Sequence, residues 1–216
     1  MVKIKKGVRA IIFDVGGVLS IGSYDKKGYR KHHLISVHHY MTDKLGIDLD
    51  TWFDAIDTVY AKSIEGLVSR KKTLSTMAKN LNVSESKLTA LFISAYKKYF
   101  KKNKQLYELA FHLKNKGYRI GVLSDQWYLS KDALIDREML SLFSPVIISC
   151  DVGFRKPNLK IYKLLIRRLK LKPHEILFID NREWNLKPAR KLGIKTILFK
   201  NNKEFVRDMA LKGILL

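Results

Sequence analysis

Short apolar runs alternate regularly with longer amphipathic stretches along this chain, and this pattern limits the folds open to it. Five runs have the length and composition of buried strands, at residues 8–13, 118–123, 145–149, 176–179 and 196–199. Helical patterns separate the later runs, at about 104–116, 129–142, 158–171, 186–192 and 202–211. Pro188 suits the first turn of its helix, where an N–H has no intrahelical partner. Strands joined by helical crossovers pair in parallel, so we predict an α/β fold with a three-layer, doubly wound (Rossmann-like) sheet.

The span from about residue 21 to residue 102 interrupts this alternation, because it contains helical patterns and no convincing strand. Three apolar stripes at helical spacing run through it: Leu34, Val37, Tyr40 and Met41; Trp52, Ile56, Val59 and Tyr60; and Leu88, Leu91, Phe92, Ala95, Tyr96 and Tyr99. Such stripes pack on one another. We therefore predict an all-helical cap at residues 21–102, inserted into an α/β core of residues 1–20 and 103–216 and lying over the carboxyl edge of the sheet.

The size and apolar content suit one α/β domain with an insertion, since 216 residues at 46% apolar can bury a sizeable core. The longest apolar stretches have only the length of strands, and the opening MVKIKK lacks the apolar run of a signal peptide. Cys150 is the only cysteine, which excludes an intrachain disulfide. We expect a cytoplasmic protein with no membrane partner, and the sequence leaves its oligomeric state open.

The charge of the chain is strongly basic, with 42 Lys and Arg against 20 Asp and Glu and a formal net charge of +22. Such an excess attracts anions and is compatible with nucleic-acid binding. The basic residues are spread along the chain, however, and those of residues 163–172 alternate with apolar residues at helical spacing. This pattern favours the solvated face of an amphipathic helix over a nucleic-acid groove. We expect the charge to help recruit phosphorylated substrates.

Polar residues follow the first two runs, at the edge where open parallel sheets bind ligands. Asp14 follows the first run, and its carboxylate is a candidate nucleophile or metal ligand, or only a turn aspartate. Gly16 and Gly17 let backbone groups approach an anion closely. Ser124, followed by Asp125, ends the second run, and a serine hydroxyl can donate to a phosphate oxygen.

Two further segments complete the set. Lys156 can neutralise both a nucleophilic carboxylate and a transferring phosphoryl group. Asp180 and Asn181 follow the fourth run, with Asn185 downstream. One such residue is weak evidence, because Ser, Lys and Asp cap helices in many proteins. Four in this order, each ending a strand, predict a single site at the carboxyl edge of the sheet.

The four segments resemble, in order and spacing, the motifs of the haloacid dehalogenase-like (HAD) hydrolase superfamily. The helical insertion resembles the C1-type cap of its subfamily I. The carboxyl half is similar to the amino-terminal phosphatase domain of soluble epoxide hydrolases, above all in the run Asn185-Leu186-Lys187-Pro188-Ala189-Arg190-Lys191-Leu192-Gly193. The likeness covers nearly the whole chain, although the insertion matches only in its helical character.

The resemblance implies a catalytic assignment. Asp14 would form a covalent aspartyl intermediate, while Ser124 and Lys156 would hold the transferring group together with Gly16, Gly17 and Asp125. It also implies a Mg²⁺ site with these ligands: Asp14, the carbonyl of Gly16, and the segment Asp180-Asn181. The implied activity is a Mg²⁺-dependent phosphatase of a small phosphorylated metabolite.

Three residues depart from the family pattern. Gly16 replaces an aspartate that protonates the leaving group, so substrates with good leaving groups, such as acyl, aryl or sugar 1-phosphates, suffer least. Asn181 replaces a metal-binding acid, and an amide oxygen brings no charge, so we expect a weaker Mg²⁺ site than usual. Asp125 replaces the common asparagine. Its carboxylate either adds a negative charge near the substrate or takes the place of the missing acid or metal ligand.

Two alternatives stay open at this point. Family dehalogenases also lack the second aspartate and the acidic metal ligand, so metal-free dehalogenation of a haloacid is possible, with Arg30 as a loose candidate for binding the substrate carboxylate. The second alternative is a catalytically degenerate family member that binds a ligand, a protein or a nucleic acid. Tyr24 and Tyr29 are candidate substrate contacts, and Trp127 and Trp184 either line the site or pack between helix and sheet.

Overall fold

The structure is a computed structural model that describes residues 7–22 and 33–214, apart from the side chains of residues 33 and 34. In chain order its strands are β1 (Ala10–Phe13), β2 (Ser20–Ile21), β3 (Lys101–Lys102), β4 (Arg119–Ser124), β5 (Val146–Ile148), β6 (Ile176–Asp180) and β7 (Lys195–Leu198). Its helices are α1 (His33–Leu45), α2 (Leu49–Ile64), α3 (Arg70–Asn80), α4 (Glu85–Tyr99), α5 (Lys104–Asn115), α6 (Tyr128–Leu134), α7 (Arg137–Leu142), α8 (Ser149–Val152), α9 (Leu159–Leu169), α10 (Glu183–Lys191) and α11 (Asn202–Leu211).

Five strands form one sheet in the order β5-β4-β1-β6-β7, and every pairing in it is parallel. The central strand β1 lies between β4 and β6, with Phe13 opposite Val122 and Ile179. Helices cover both faces of this sheet, which explains why its strands are nearly continuous apolar runs. The carboxyl ends of β1, β4 and β6 therefore meet at the centre of one edge.

Side chains of successive strand residues point to opposite faces, and each face has its own core. Ile11 and Phe13 pack with residues of α5, α7 and α11. Ala10 and Ile12 pack with residues of α9 and α10. Two helical layers with a parallel sheet between them confirm the predicted α/β class.

Helices α1 to α4 form a separate helical insertion between β2 and β3, with its own buried core that includes Val37, Trp52, Met77, Leu88 and Phe92. The prediction that residues 21–102 contain no strand is wrong at both ends. Ser20–Ile21 pairs with Lys101–Lys102 in an antiparallel ribbon at the base of the insertion. Strands of two residues are too short to show an alternating pattern, so no hydrophobic pattern predicts them.

Two predicted helices have different bounds. The stretch 129–142 is two helices rather than one, because Asp136 accepts the N–H of Met139 at 2.7 Å and starts α7 afresh. The helix predicted after the fourth motif, at 186–192, begins at Glu183 instead. Pro188 therefore lies inside α10 and not in its first turn. Within residues 7–22 and 33–214, no helix has both the length and the apolar character needed to cross a bilayer.

Candidate active site

Lys156 lies at the centre of the predicted site, with its side chain almost completely buried. Its Nζ is 3.0 Å from Asp14 Oδ1 and 2.7 Å from Asp180 Oδ2, and it donates to the carbonyl of Leu123 at 3.3 Å. One ammonium group thus joins the ends of β1, β4 and β6.

The prediction that Lys156 ends a strand is wrong. Strand β5 ends at Ile148, and the short helix α8 follows, closed by Gly153 with a φ of +81°. Lys156 belongs to the loop between α8 and α9, and it reaches the strand ends through its long side chain. The pattern of apolar residues did not predict α8 or the loop that separates Lys156 from the end of β5.

Asp14 follows β1 directly, and its Oδ1 accepts the backbone N–H of Val15 at 2.7 Å as well as the ammonium of Lys156. Burial raises the pKa of Asp14 from 3.8 to about 6. Lys156 and a hydrogen bond from Ser124 oppose this rise, while Asp180 and Asp125 add to it. Burial alone would lower the pKa of Lys156, but the three carboxylates outweigh burial and raise it. The lysine is therefore a permanent cation.

The two glycines after Asp14 have different surroundings. Gly17 has a φ of +82°, and a Cβ on it would lie 2.3 Å from Asn181 Nδ2. The positive φ favours glycine at position 17, and a Cβ there would also have to displace the side chain of Asn181. A Cβ on Gly16 would meet no atom within 4 Å, and its backbone is not in the left-handed region. Position 16 has room for a larger side chain.

Asp180 is completely buried, and both of its oxygens accept hydrogen bonds. Oδ1 accepts the N–H of Arg182 at 2.8 Å, and Oδ2 accepts Asn185 Nδ2 at 3.0 Å in addition to Lys156. The carboxylate therefore fixes Lys156 and the start of α10. Oδ2 accepts two hydrogen bonds and Oδ1 only one, so Oδ1 is the Asp180 oxygen with a lone pair left for a metal ion or a water molecule.

Two amide oxygens at the same place, Asn181 Oδ1 and Asn185 Oδ1, are buried without a hydrogen-bond partner among the described residues. Mg²⁺ binds carboxylate and carbonyl oxygens. The carboxylate of Asp14, the carbonyl of Gly16 and the orphaned Oδ1 of Asn181 fit such an ion. No group of three or more His, Cys, Asp or Glu side chains suited to a metal occurs in the described parts of the chain. This donor set carries less charge than an all-carboxylate site.

Ser124 ends β4, is completely buried and accepts Gln126 Nε2 at 3.0 Å. Asp125 Oδ1 accepts the backbone N–H of Lys156 at 3.0 Å, so it ties the loop of Lys156 to the end of β4. Burial raises the pKa of Asp125, and Lys156 opposes the rise. Asp14, Ser124, Lys156 and Asp180 thus share one site. Gln126 was not given a role from the sequence, although its position directly behind a strand-end serine was a signal.

Other candidates lie elsewhere. Trp127 is 1% exposed and packs into the core of the helical insertion, whereas Trp184 is 58% exposed. His38 accepts the indole N–H of Trp52 at 2.9 Å inside the insertion, so it packs within the insertion core. Residues 24, 29 and 30 lie outside the part of the chain that the structure describes.

Comparison with known families matches residues 8–193 to the haloacid dehalogenase-like hydrolases. The match covers β1 to β6, the insertion and all four motif segments, and it ends before β7. The chain belongs to the HAD-like hydrolase family, and the resemblance seen in its motifs is confirmed.

Curated relatives include an epoxide hydrolase and phosphatases. The chain is 27% identical over 223 residues to bifunctional epoxide hydrolase 2 of Mus musculus, covering 94% of this chain and 38% of the relative. It is 35% identical over 92 residues to glyceraldehyde 3-phosphate phosphatase of Methanothermobacter thermautotrophicus, covering 40% of this chain and 39% of the relative. The chain spans between 19% and 42% of the length of such relatives.

Solved structures share the fold at low sequence identity. A HAD-like hydrolase from Porphyromonas gingivalis superposes with a TM-score of 0.76 at 20% identity, over 97% of this chain and 99% of that one. The HAD family enzyme BT-2542 from Bacteroides thetaiotaomicron, solved with magnesium and inorganic phosphate, gives 0.69 at 20% identity, over 91% and 96%. The L-2-haloacid dehalogenase from Xanthobacter autotrophicus gives 0.56 at 16% identity, over 96% and 84%.

Proposed function

We propose that this HAD-like hydrolase is a Mg²⁺-dependent phosphatase of a small phosphorylated metabolite. The observation that carries the proposal is the position of Lys156 Nζ, 3.0 Å from Asp14 Oδ1 and 2.7 Å from Asp180 Oδ2 in a buried site. A fixed cation beside a carboxylate nucleophile suits the transfer of an anionic group. Relatives named as phosphatases and a structural neighbour holding magnesium and phosphate support the same reading.

Asp14 is the nucleophile in this mechanism. Its Oδ1 already accepts hydrogen bonds from Val15 and Lys156, so we assign the attack to Oδ2. The new Oδ2–P bond forms as the bond from phosphorus to the leaving oxygen breaks, and that oxygen leaves with the electron pair. Ser124 and Lys156 hold the equatorial oxygens, and the backbone of Gly16 and Gly17 lines the approach. A water molecule then attacks the aspartyl phosphate, which releases inorganic phosphate and restores Asp14.

The charge of the site explains the need for a divalent cation. Three carboxylates, those of Asp14, Asp125 and Asp180, surround the single ammonium of Lys156, so the pocket is unfavourable for a phosphate dianion. Asp14, the Gly16 carbonyl and Asn181 would hold Mg²⁺, which offsets carboxylate–phosphate repulsion when bound. An amide in place of a carboxylate lowers the charge of the site, and Mg²⁺ should bind more weakly than at an all-carboxylate site.

The absence of an acid at position 16 restricts the substrate. A leaving oxygen of low basicity departs without a proton from the protein, and the solvent protonates it later. We propose acyl, aryl or sugar 1-phosphates as the favoured class. The helical insertion of residues 21–102 serves as the cap that excludes water and selects among them.

The test combines metal dependence with the nucleophile. Wild type should release phosphate from acetyl phosphate and p-nitrophenyl phosphate with Mg²⁺, lose activity in EDTA, and form an acid-stable phosphorylated intermediate seen by mass spectrometry. Asp14→Asn should abolish both turnover and the intermediate. Asp151→Asn is a matched control, because that carboxylate pairs with Lys131 on the surface. Turnover that survives Asp14→Asn would exclude the covalent mechanism.

Two alternatives have separate readouts. Release of halide from 2-chloropropionate in EDTA would favour a dehalogenase. Gly16 and Asn181 are compatible with that activity, and the fold is similar to that of a haloacid dehalogenase. Absence of any turnover together with binding of a protein or nucleic acid would favour a degenerate binding module. The net charge of +22 makes nucleic acid a possible but less favoured partner.

A further inference from the structure

A polar group outside the mechanism above lies directly behind Ser124. The side-chain amide of Gln126 donates from Nε2 to Ser124 Oγ across 3.0 Å, and both residues are buried. Burial removes water as an alternative partner, so this hydrogen bond constrains the serine more than an exposed one would.

Gln126 is itself held by Ser149, the residue that follows β5. Ser149 Oγ accepts the backbone N–H of Gln126 at 2.9 Å and donates to its carbonyl at 3.2 Å. Ser149 is completely buried. Two hydrogen bonds to the main chain of one residue fix the point from which its side chain starts.

This arrangement sets the direction of the serine proton. A hydroxyl has one hydrogen to donate and two lone pairs to accept. Because the amide of Gln126 occupies a lone pair of Ser124 Oγ, the hydroxyl hydrogen points away from Gln126, and Asp14 receives a hydrogen bond from it. A phosphoryl oxygen that enters between Asp14 and Ser124 therefore meets a hydrogen and not a lone pair.

We propose that Gln126 is a positioning residue for phosphoryl transfer, which holds the hydroxyl of Ser124 as a donor toward the transferring group. The inference rests on the proposed phosphatase function. Gln126 acts through Ser124 and does not touch the reacting atoms. Its contribution should therefore depend on the presence of that serine.

A double-mutant cycle tests this dependence with p-nitrophenyl phosphate and Mg²⁺. Gln126→Met, which keeps the length of the side chain but removes the donor, should lower kcat about tenfold, the effect of one hydrogen bond. In the Ser124→Ala background the same change should cost less than about twofold, because the group it orients is gone. Gln105→Met, a change at an exposed glutamine, should keep wild-type kinetics. Equal losses in both backgrounds would overturn the proposal and assign Gln126 a packing role.

The pH profile of Gln126→Glu gives a second readout, which also serves if Gln126→Met does not fold. An ionised glutamate accepts the serine proton and turns it away from the substrate, whereas a protonated one can donate again. Activity relative to wild type should therefore rise several-fold from about pH 8 to about pH 5. A Gln126→Glu enzyme as active as wild type at pH 8 would show that the amide accepts from Ser124, which contradicts the proposal.

Calorimetry with inorganic phosphate and Mg²⁺ separates this proposal from the proposed function. Gln126→Met should weaken phosphate binding about tenfold when Ser124 is present and hardly at all in Ser124→Ala. If wild type hydrolyses no phosphate ester, the phosphatase proposal fails, and the binding cycle still decides the role of Gln126. Unchanged binding in Gln126→Met would count against the positioning role whatever the activity.

Discussion

At the scale of single residues, the site is defined by what each backbone position tolerates. Gly17 approaches Asn181 so closely that any side chain would collide with it, whereas Gly16 faces open space. The two adjacent glycines therefore differ in which side chains their positions tolerate. Position 17 favours glycine because of its positive φ and the Asn181 side chain beside it, and the glycine at position 16 has no steric reason in the structure.

The open space at Gly16 predicts a gain of function. Gly16→Asp places a carboxyl group two residues after Asp14, the proposed nucleophile, and no atom lies within 4 Å of the new Cβ. Hydrolysis of an alkyl phosphate such as glycerol 3-phosphate should rise by about 10²-fold, because a poor leaving group gains most from general acid catalysis. Hydrolysis of acetyl phosphate should change little. Steady-state kinetics on both substrates measure the difference.

Gly17→Ala is the matched control for that experiment. Its φ of +82° and the 2.3 Å approach to Asn181 Nδ2 predict a loss of stability of about 1–3 kcal/mol. Gly16→Asp should unfold near the wild-type urea midpoint. Equal gains on alkyl and acyl phosphates in Gly16→Asp would contradict a role for the added acid in leaving-group protonation.

At the scale of elements, α6 connects the sheet to the helical insertion. It begins four residues after Ser124, yet Trp127 and Leu129 belong to the core of α1 to α4. Trp127 Nε1 donates to Tyr96 OH at 2.7 Å, and its ring packs edge-on against Phe92 with centroids 4.6 Å apart. The segment that directly follows Ser124 therefore also anchors the insertion.

This anchoring predicts unequal effects for two tryptophans that look alike in the sequence. Trp127→Phe removes a buried hydrogen bond and part of a packed ring, and should lower the free energy of unfolding by about 2–3 kcal/mol. Trp184→Phe should change it by less than about 0.5 kcal/mol, because Trp184 is 58% exposed. Urea unfolding followed by circular dichroism measures both. Similar values for the pair would mean that Trp127 does not anchor the insertion.

His38 predicts a pH dependence within the same insertion. Burial lowers its pKa from 6.5 to about 4, and the neighbouring His39 adds to the shift. The unfolded chain takes up a proton below about pH 6.5, whereas the folded insertion takes it up only near pH 4. Stability should therefore fall by up to about 3 kcal/mol as the pH drops through this window, and level off below it.

The variant His38→Asn keeps an acceptor for the indole N–H of Trp52 without a titrating group. Its stability should fall less steeply than that of wild type between about pH 6.5 and pH 4, as measured by urea unfolding at a series of pH values. His112→Asn, a change on the exposed face of α5, should retain the wild-type slope because His38 is still present. A wild-type slope in His38→Asn would assign the acid sensitivity to other groups.

At the scale of the whole molecule, the core could be predicted because burial and sequence pattern coincide there. β1, β4 and β6 are buried on both faces, so they appear as unbroken apolar runs, and Asp14, Ser124 and Asp180 stand where those runs stop. Lys156 reaches the site only through tertiary folding of the loop after α8. The burial of Trp127 under the insertion depends on contacts between segments far apart in the chain, and the local hydrophobic pattern does not predict such contacts.

The net charge of +22 is a property of the whole chain, and it predicts how substrate arrives. A field of this sign attracts a phosphorylated anion over distances comparable with the Debye length, so it raises the rate of encounter more than the rate of chemistry. Between about 20 and 300 mM NaCl, kcat/KM for p-nitrophenyl phosphate should fall about three- to tenfold, with kcat within about twofold.

Three reversals on the exposed face of α9, Lys163→Glu, Arg167→Glu and Arg168→Glu, test whether this attraction is collective. Each reversal removes two units, which takes the formal charge from +22 to +16. If all charges contribute to the field, the salt dependence of kcat/KM should shrink only in part, and kcat should stay unchanged because α9's exposed face lies outside the site. Complete loss of the salt dependence would instead identify α9 as a local docking surface, and a wild-type salt dependence would show that these three residues contribute nothing to the encounter.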